Sequence, residues 1–208
     1  MEVFNFIFGQ YATYKIEHIV LELVAIAASV ISVLYSKKNS ILVYPYGILS
    51  TGIFVYLLIQ WELPGDMIIN GYYFIMSIYG WYYWSKKIGE NVVPITRVTQ
   101  REWIISGLIF IASTVLVYYV YIRFEMLNSW INYVDILTTG IAFVGMWQMA
   151  LRKLEYWLVL LVANVISVPL YFIKGYSFTA FLFIFLTIIA YKGYMSWKTY
   201  HINAPLKG

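Results

Sequence analysis

The feature that most constrains this chain is a succession of apolar runs, each about as long as a bilayer is thick. A helix rises about 1.5 Å per residue, so crossing roughly 30 Å of hydrocarbon takes about 20 apolar residues. Seven runs of that order lie between charged residues, Pro or Gly: Ile16 to Tyr35, Ile41 to Gln60, Met67 to Trp84, Trp103 to Tyr121, Ile131 to Leu151, Tyr156 to Ile173 and Ser177 to Trp197. Of the 208 residues, 62% are hydrophobic and 12% charged. That is about half the charged share of a soluble domain, which excludes a disordered chain and an ordinary water-soluble enzyme. The expected fold class is an all-α membrane protein of seven transmembrane helices.

The connectors are short. Ser36 to Ser40 follows the first run, and Pro64, Gly65 and Asp66 read as a turn after the second; only Ser85 to Glu102 and Ile122 to Trp130 leave room for longer loops. Met1 to Lys15 lacks the basic start and small-residue cleavage site of a signal peptide and is expected to be an interfacial lead-in. Cysteine is absent, which removes disulfides, thiolate metal sites and thiol nucleophiles.

The net charge of +4 reads as a topology signal rather than a nucleic-acid footprint, because the basic residues fall in alternate connectors. Lys37, Lys38, Lys86, Lys87, Arg97, Arg101, Arg152, Lys153, Lys192, Lys198 and Lys207 lie on one side; Lys15, Arg123 and Lys174 lie on the other. Basic residues favour the cytoplasm, so the amino terminus is expected outside and the carboxyl terminus in the cytoplasm of a multi-pass membrane protein.

Internal similarity adds an arrangement. Glu22 and Asp135 stand 113 positions apart, and Gly80 and Trp84 fall on Gly193 and Trp197 at the same offset. This suggests three spans, one linker span and three spans again, with the halves parallel and a binding site between them near the midplane. The implied parts are a lead-in at 1–15, a first three-helix bundle at 16–84, a cytoplasmic loop and linker helix at 85–121, a second bundle at 131–197 and a cytoplasmic tail at 198–208.

Polar residues in hydrocarbon are costly and should face the interior. In the third run Asn70, Tyr73, Ser77, Trp81 and Trp84 recur at helical spacing along one face, and the sixth run carries Trp157, Asn164, Ser167 and Tyr171. Ser50 and Thr51 lie mid-way along the second. These give the candidate substrate-binding set Asn164, Ser167, Asn70, Tyr73, Ser77, Trp81, Trp84, Ser50 and Tyr171, with Asn164 foremost because an amide has up to four hydrogen-bonding positions to satisfy. Glu22 and Asp135 are candidates for a polar or proton-linked role, or for a bond to a facing helix end. Ser and Thr also commonly bond their own helix carbonyls, Trp61, Tyr82, Tyr83, Trp103 and Trp130 read as interface anchors, and Pro45 and Pro169 are expected to kink their helices. No phosphate loop, triad, histidine pair or carboxylate cluster appears, so neither catalytic residue, metal nor cofactor is expected.

The run Ser77, Ile78, Tyr79, Gly80, Trp81, Tyr82, Tyr83, Trp84, together with Trp157, Leu158 and then Asn164, Val165, Ile166, Ser167, resembles the PnuC family of bacterial vitamin transporters over about Ile16 to Trp197. The resemblance implies two parallel three-helix bundles joined by a linker helix, similar to SWEET sugar transporters. It also implies facilitated, alternating-access import of nicotinamide riboside, a small cationic aromatic vitamin, which a cytoplasmic kinase then traps. Thiamine is the alternative cargo and riboflavin the third; a non-transporting membrane scaffold is the rival of a different class, and a homo-oligomer is compatible with the sequence. The family pattern leads us to expect Gln where Asn70 stands and Asn where Ser50 stands, both smaller groups here.

Overall fold

The computed structural model describes residues 15–61, 64–88, 91–173 and 177–203; residues 1–14 of the lead-in, Lys174 and Lys207 fall outside them. Seven long helices form: α1 (Ile16–Lys37), α2 (Val43–Gln60), α3 (Pro64–Ser85), α4 (Gln100–Arg123), α5 (Trp130–Ala150), α6 (Tyr156–Ile173) and α7 (Ser177–Asn203). A two-stranded antiparallel ribbon, β1 (Lys87–Ile88) and β2 (Asn91–Val92), lies between α3 and α4, where a plain loop was expected.

Each helix coincides with one apolar run, and the ends differ for local reasons. Pro64, Gly65 and Asp66 open α3 rather than forming a separate turn, because proline at the first helical position gives up an N–H that would have no helical partner. Pro45 likewise falls in the first turn of α2, so it removes no helical bond and is no kink; Pro169 does lie inside α6. Helix α7 continues past Trp197 to Asn203, taking in the start of the expected tail. A capping box starts α4, with Thr99 Oγ1 accepting from Glu102 N and Glu102 Oε2 accepting from Thr99 N at 2.8 Å.

Among the described residues, five helices are long and apolar enough to cross a membrane: α1, α2, α4, α6 and the Ala180–Ile202 stretch of α7. Helices α3 and α5 have the length, at 22 and 21 residues, but not the apolarity expected of them. The reason is positional. They pack on each other in the middle of the molecule, where Tyr72 stacks on Phe143 at 4.0 Å and its hydroxyl donates to the Phe143 carbonyl at 3.0 Å.

The packing follows the 113-residue offset. Helix α2 packs on both α1 and α3, and α6 on both α5 and α7; between the two sets, α3 meets α5 and α1 meets α7. Helix α4 packs mainly on α5. The turns after α1 and α5 are the same structure: Asn39 and Arg152, 113 apart, both adopt the left-handed region with φ of 55° and 59°. Asn39 N bonds the Ser36 carbonyl as Arg152 N bonds that of Met149, each at 2.9 Å.

Two glycines allow matching close approaches. A Cβ on Gly80 would sit 2.4 Å from the Tyr44 ring, and one on Gly193 would sit 2.6 Å from the Trp157 ring; Tyr44 and Trp157 are themselves related by the offset. Gly80→Ala and Gly193→Ala are therefore each expected to destabilise the protein by about 1–3 kcal/mol through overpacking. Gly71→Ala, with nothing within 4 Å of its added methyl, should be neutral or stabilise by up to about 1 kcal/mol. Thermal unfolding in detergent, read on all three variants, checks the contrast.

Candidate functional site

At the end of the molecule where α1 and α5 finish, the two helix sets tie to each other reciprocally. Trp84 Nε1 on α3 donates to the Met149 carbonyl at 3.3 Å, and Trp197 Nε1 on α7 donates to the Ser36 carbonyl at 2.8 Å. Both the donors and the acceptors of these bonds are 113 positions apart. The rings form one aromatic cluster: Trp84 and Tyr44 meet edge-on at 5.1 Å, Trp197 and Trp157 at 5.9 Å, and Trp84 lies 5.6 Å from Trp197 across the middle. Such contacts each contribute about 0.5–1.5 kcal/mol beyond burial.

Arg152 closes this end. Its Nε and Nη2 donate to Asn39 Oδ1 at 3.1 and 2.8 Å, its Nη1 donates to the Val93 carbonyl, and its guanidinium lies 4.5 Å over the Trp84 ring. Burial draws its pKa below the usual value, yet an arginine stays charged in proteins. Below it, the segment before α4 is strapped to the turn between α5 and α6: Thr96 N donates to the Arg152 carbonyl, Leu154 N to the Thr96 carbonyl, and Lys153 pairs with Glu102 at 2.7 Å. His201 Nδ1, in the extended part of α7, donates to the Ile95 carbonyl at 2.9 Å. Arg152 and Lys153, counted in the sequence as topology charges, are thus buried and bonded.

Directly inside this closure lies a cavity of about 240 Å³. Six of its lining residues on α1 and α2 recur at the 113 offset on α5 and α6: Ser29 with Ala142, Ser32 with Gly145, Val33 with Met146, Ser36 with Met149, Val43 with Tyr156 and Gly47 with Leu160. The cavity therefore straddles the boundary between the two sets. Its polarity is one-sided, because Ser50, Thr51, Tyr73 and Ser77 add hydroxyls from α2 and α3 while the opposite wall is largely apolar. No Asp, Glu, Lys, Arg or His is among its described lining residues.

Of the residues singled out in the sequence, Ser50, Thr51, Tyr73 and Ser77 line the cavity, as does Trp157. Trp84 lies in the closure instead, 2% exposed. Trp81 is 42% exposed and Asn70 turns its amide to the carbonyl of Asp66 in its own helix. The inward face of α3 runs through Tyr73, Met76, Ser77, Gly80 and Trp84, so Trp81, rotated by about 100° from Gly80, falls at its rim. Asn164 is buried on α6, and Ser167 bonds the Ala163 carbonyl at 2.9 Å. Tyr171 lies 5.0 Å from Phe183. None of these three lines the cavity, and neither do the partly buried Glu22 and Asp135. Sequence reasoning passed over Ser36, Tyr156, Asn39 and Arg152, although the pairing of Asn39 with Arg152 and of Ser36 with Met149 was available in the offset.

Residues 19–199 match the family model described as nicotinamide mononucleotide transporter. The chain belongs to that family. Among similar proteins, the nicotinamide riboside transporter PnuC of Neisseria mucosa is 25% identical over 162 residues, covering 74% of this chain; the chain spans 60% of that relative's length. The riboflavin/roseoflavin transporter RibM of Streptomyces davaonensis is 24% identical, covering 77% of this chain and 76% of its own. PnuC of Escherichia coli is 22% identical over 203 residues, covering 85% and 84%. The crystal structure of the vitamin B3 transporter PnuC shares the fold, with a TM-score of 0.64 at 21% identity over 88% of this chain and 82% of that one. The resemblance to the PnuC family drawn from the aromatic motifs therefore stands. The family and these relatives are transporters rather than enzymes, and with its apolar helices the chain is a multi-pass inner-membrane protein.

Because the natural sequence has no cysteine, the closure can be probed with a single introduced thiol. Ser77→Cys should resist a membrane-impermeant maleimide supplied at the basic end of the helices. Adding Arg152→Ala, which leaves the Val93 carbonyl and Asn39 without their donor, should raise the labelling rate at least several-fold.

Proposed function

We propose that the chain carries a small, flat, unphosphorylated vitamin across the inner membrane by alternating access, with nicotinamide riboside as the first candidate cargo. The observation that carries this reading is the cavity between the two helix sets, bounded by residues from matching positions and free of charged side chains among its described lining. A phosphate monoester brings nearly two negative charges and needs arginine, lysine or a cluster of N–H donors. A nucleoside needs hydroxyl partners and an aromatic face, which also suits a cationic ring; the cavity hydroxyls with Tyr73, Tyr156 and Trp157 offer both. Cargo of the nucleoside type is accordingly favoured over the nucleotide in the family's description.

Riboflavin is the second reading. The name of the Streptomyces relative favours it over thiamine, and a neutral ring with a polyhydroxylated chain suits hydroxyls facing an apolar wall. We place Ser50, Tyr73 and Ser77 as substrate contacts. Asn164 we place at the rim of the site, since it holds the position equivalent to the cavity-lining Thr51.

In this reading α1–α3 and α5–α7 are two parallel three-helix bundles, α4 is the linker, and all seven helices span the membrane as in SWEET carriers. The amino terminus lies outside and the basic end faces the cytoplasm, so that the closure around Arg152 would shut the carrier on that side. Glu22 and Asp135 lie away from the cavity, which favours uniport without proton coupling. A cytoplasmic kinase then retains the imported vitamin.

Purified protein in liposomes should move intact nicotinamide riboside down its gradient, unchanged by an imposed proton gradient and without transport of the mononucleotide. No flux of nicotinamide riboside or riboflavin would leave the scaffold reading in its place. For orientation, Lys38→Cys and Lys198→Cys in cells should react with an impermeant maleimide only after the membrane is opened, whereas Arg123→Cys should react at once.

A further inference from the structure

The hydroxyls around the cavity do not all offer a guest the same group. Ser29 Oγ donates to the Ile26 carbonyl at 2.8 Å, Ser32 Oγ to the Val43 carbonyl at 2.7 Å and Thr51 Oγ1 to the Gly47 carbonyl at 2.7 Å. A carbonyl oxygen only accepts, so each of these hydroxyls has committed its one proton to the backbone and presents lone pairs alone to the cavity. Ser36 and Tyr156 bond each other.

Ser50, Ser77 and Tyr73 are different. They line the cavity, Ser50 and Ser77 are only 3% and 2% exposed, and none of the three hydroxyls has a hydrogen bond among the described residues. Each keeps a proton to give. A buried hydroxyl without a partner is destabilising, so a guest that accepts from these groups gains affinity. Across the cavity, three of the α1 serines are matched at the 113 offset by Ala142, Gly145 and Met149; Met146 and Leu160 complete a largely apolar wall, to which Trp157 adds its ring and an Nε1–H that has no partner among the described residues.

We propose that Ser50, Ser77 and Tyr73 are specificity-determining donors, that Ser29, Ser32 and Thr51 are the matching acceptors, and that a guest lies one way round. Its polyhydroxylated part rests on α1–α3 and its flat ring on the α5–α6 wall. A polyol or pentose satisfies both kinds of partner at once, since every hydroxyl both donates and accepts. A phosphate group, with acceptor oxygens only, can use the three donors but not the three lone-pair faces, and finds no cation in the described lining to balance its nearly two negative charges. The inference rests on the cavity being the transport site proposed above.

Equilibrium binding by the purified full-length protein tests it, with nicotinamide riboside and riboflavin as whole ligands. 1-Methylnicotinamide, which keeps the cationic pyridinium, and lumiflavin, which keeps the N10-substituted isoalloxazine, serve as the corresponding bare rings, read by competition at high concentration. Ser77→Ala and Tyr73→Phe each remove one oxygen and no hydrogen bond described within the protein, so their thermal midpoints should match the parent. Each is expected to weaken the bound whole vitamin about three- to tenfold and to leave its bare ring unchanged. Leu160→Ala, with Met146→Ala as the second wall variant, should weaken whole ligand and bare ring by the same factor. Donor variants that weaken ring and whole ligand alike, or that change neither, would overturn the assigned orientation while the transport site stands. If the parent protein binds neither vitamin, the transport-site reading falls and takes this inference with it.

Discussion

Two indole N–H bonds that cross between the helix sets, Trp84 to Met149 and Trp197 to Ser36, hold the arrangement on which the rest of the structure depends. Within a bilayer there is little hydrophobic drive for one apolar helix to leave lipid for another, so association relies on close packing and directed hydrogen bonds. Here the bonds are reciprocal, and glycine on each side, Gly80 and Gly193, lets an aromatic ring lie against the helix backbone. The indoles accordingly end in the closure, and the charge of Arg152 is absorbed by Asn39, a backbone carbonyl and a ring face instead of being left unpaired.

Behind that closure the two sets keep a common backbone plan while their side chains have diverged. The turns after α1 and α5 share hydrogen bonds and left-handed residues, and α2 and α6 are each 18 residues long and lie 113 positions apart. The cavity lies where these matched surfaces face each other, yet serine on one side is opposed by alanine, glycine or methionine on the other. A symmetric lining would present a guest with two equivalent ways to lie. The one-sided distribution of hydroxyls makes them unequal, because a hydroxyl left against the apolar wall loses its hydrogen bonds.

Much of this could be read from the chain in one dimension. The seven helices, their short connectors, the family motifs and the 113-residue offset are properties of contiguous residues or of simple spacing, and local hydropathy records them directly. Periodicity also found the general face of α3, although not its centre. The stripe through Asn70, Tyr73, Ser77, Trp81 and Trp84 is a real helical alignment, but two of its five members lie at the rim, since the inward direction is set by where α2 and α5 sit. Asn164 stood out because an amide in an apolar run is conspicuous, whereas serine and threonine commonly bond their own helix. Ser29 and Thr51 do so and still line the cavity.

What the sequence by itself determined is therefore the set of parts: apolar helices of membrane length, their order and the family to which they belong. Burial of Arg152, the exchange of indole bonds, and the gathering of Ser50, Tyr73 and Ser77 opposite a methionine-bearing wall were decided only in the folded molecule. Each of these joins separate parts of the chain, in the first two cases across 59 to 161 residues. Local periodicity says that a side chain must avoid lipid, but only the packed neighbour determines which partner it finds.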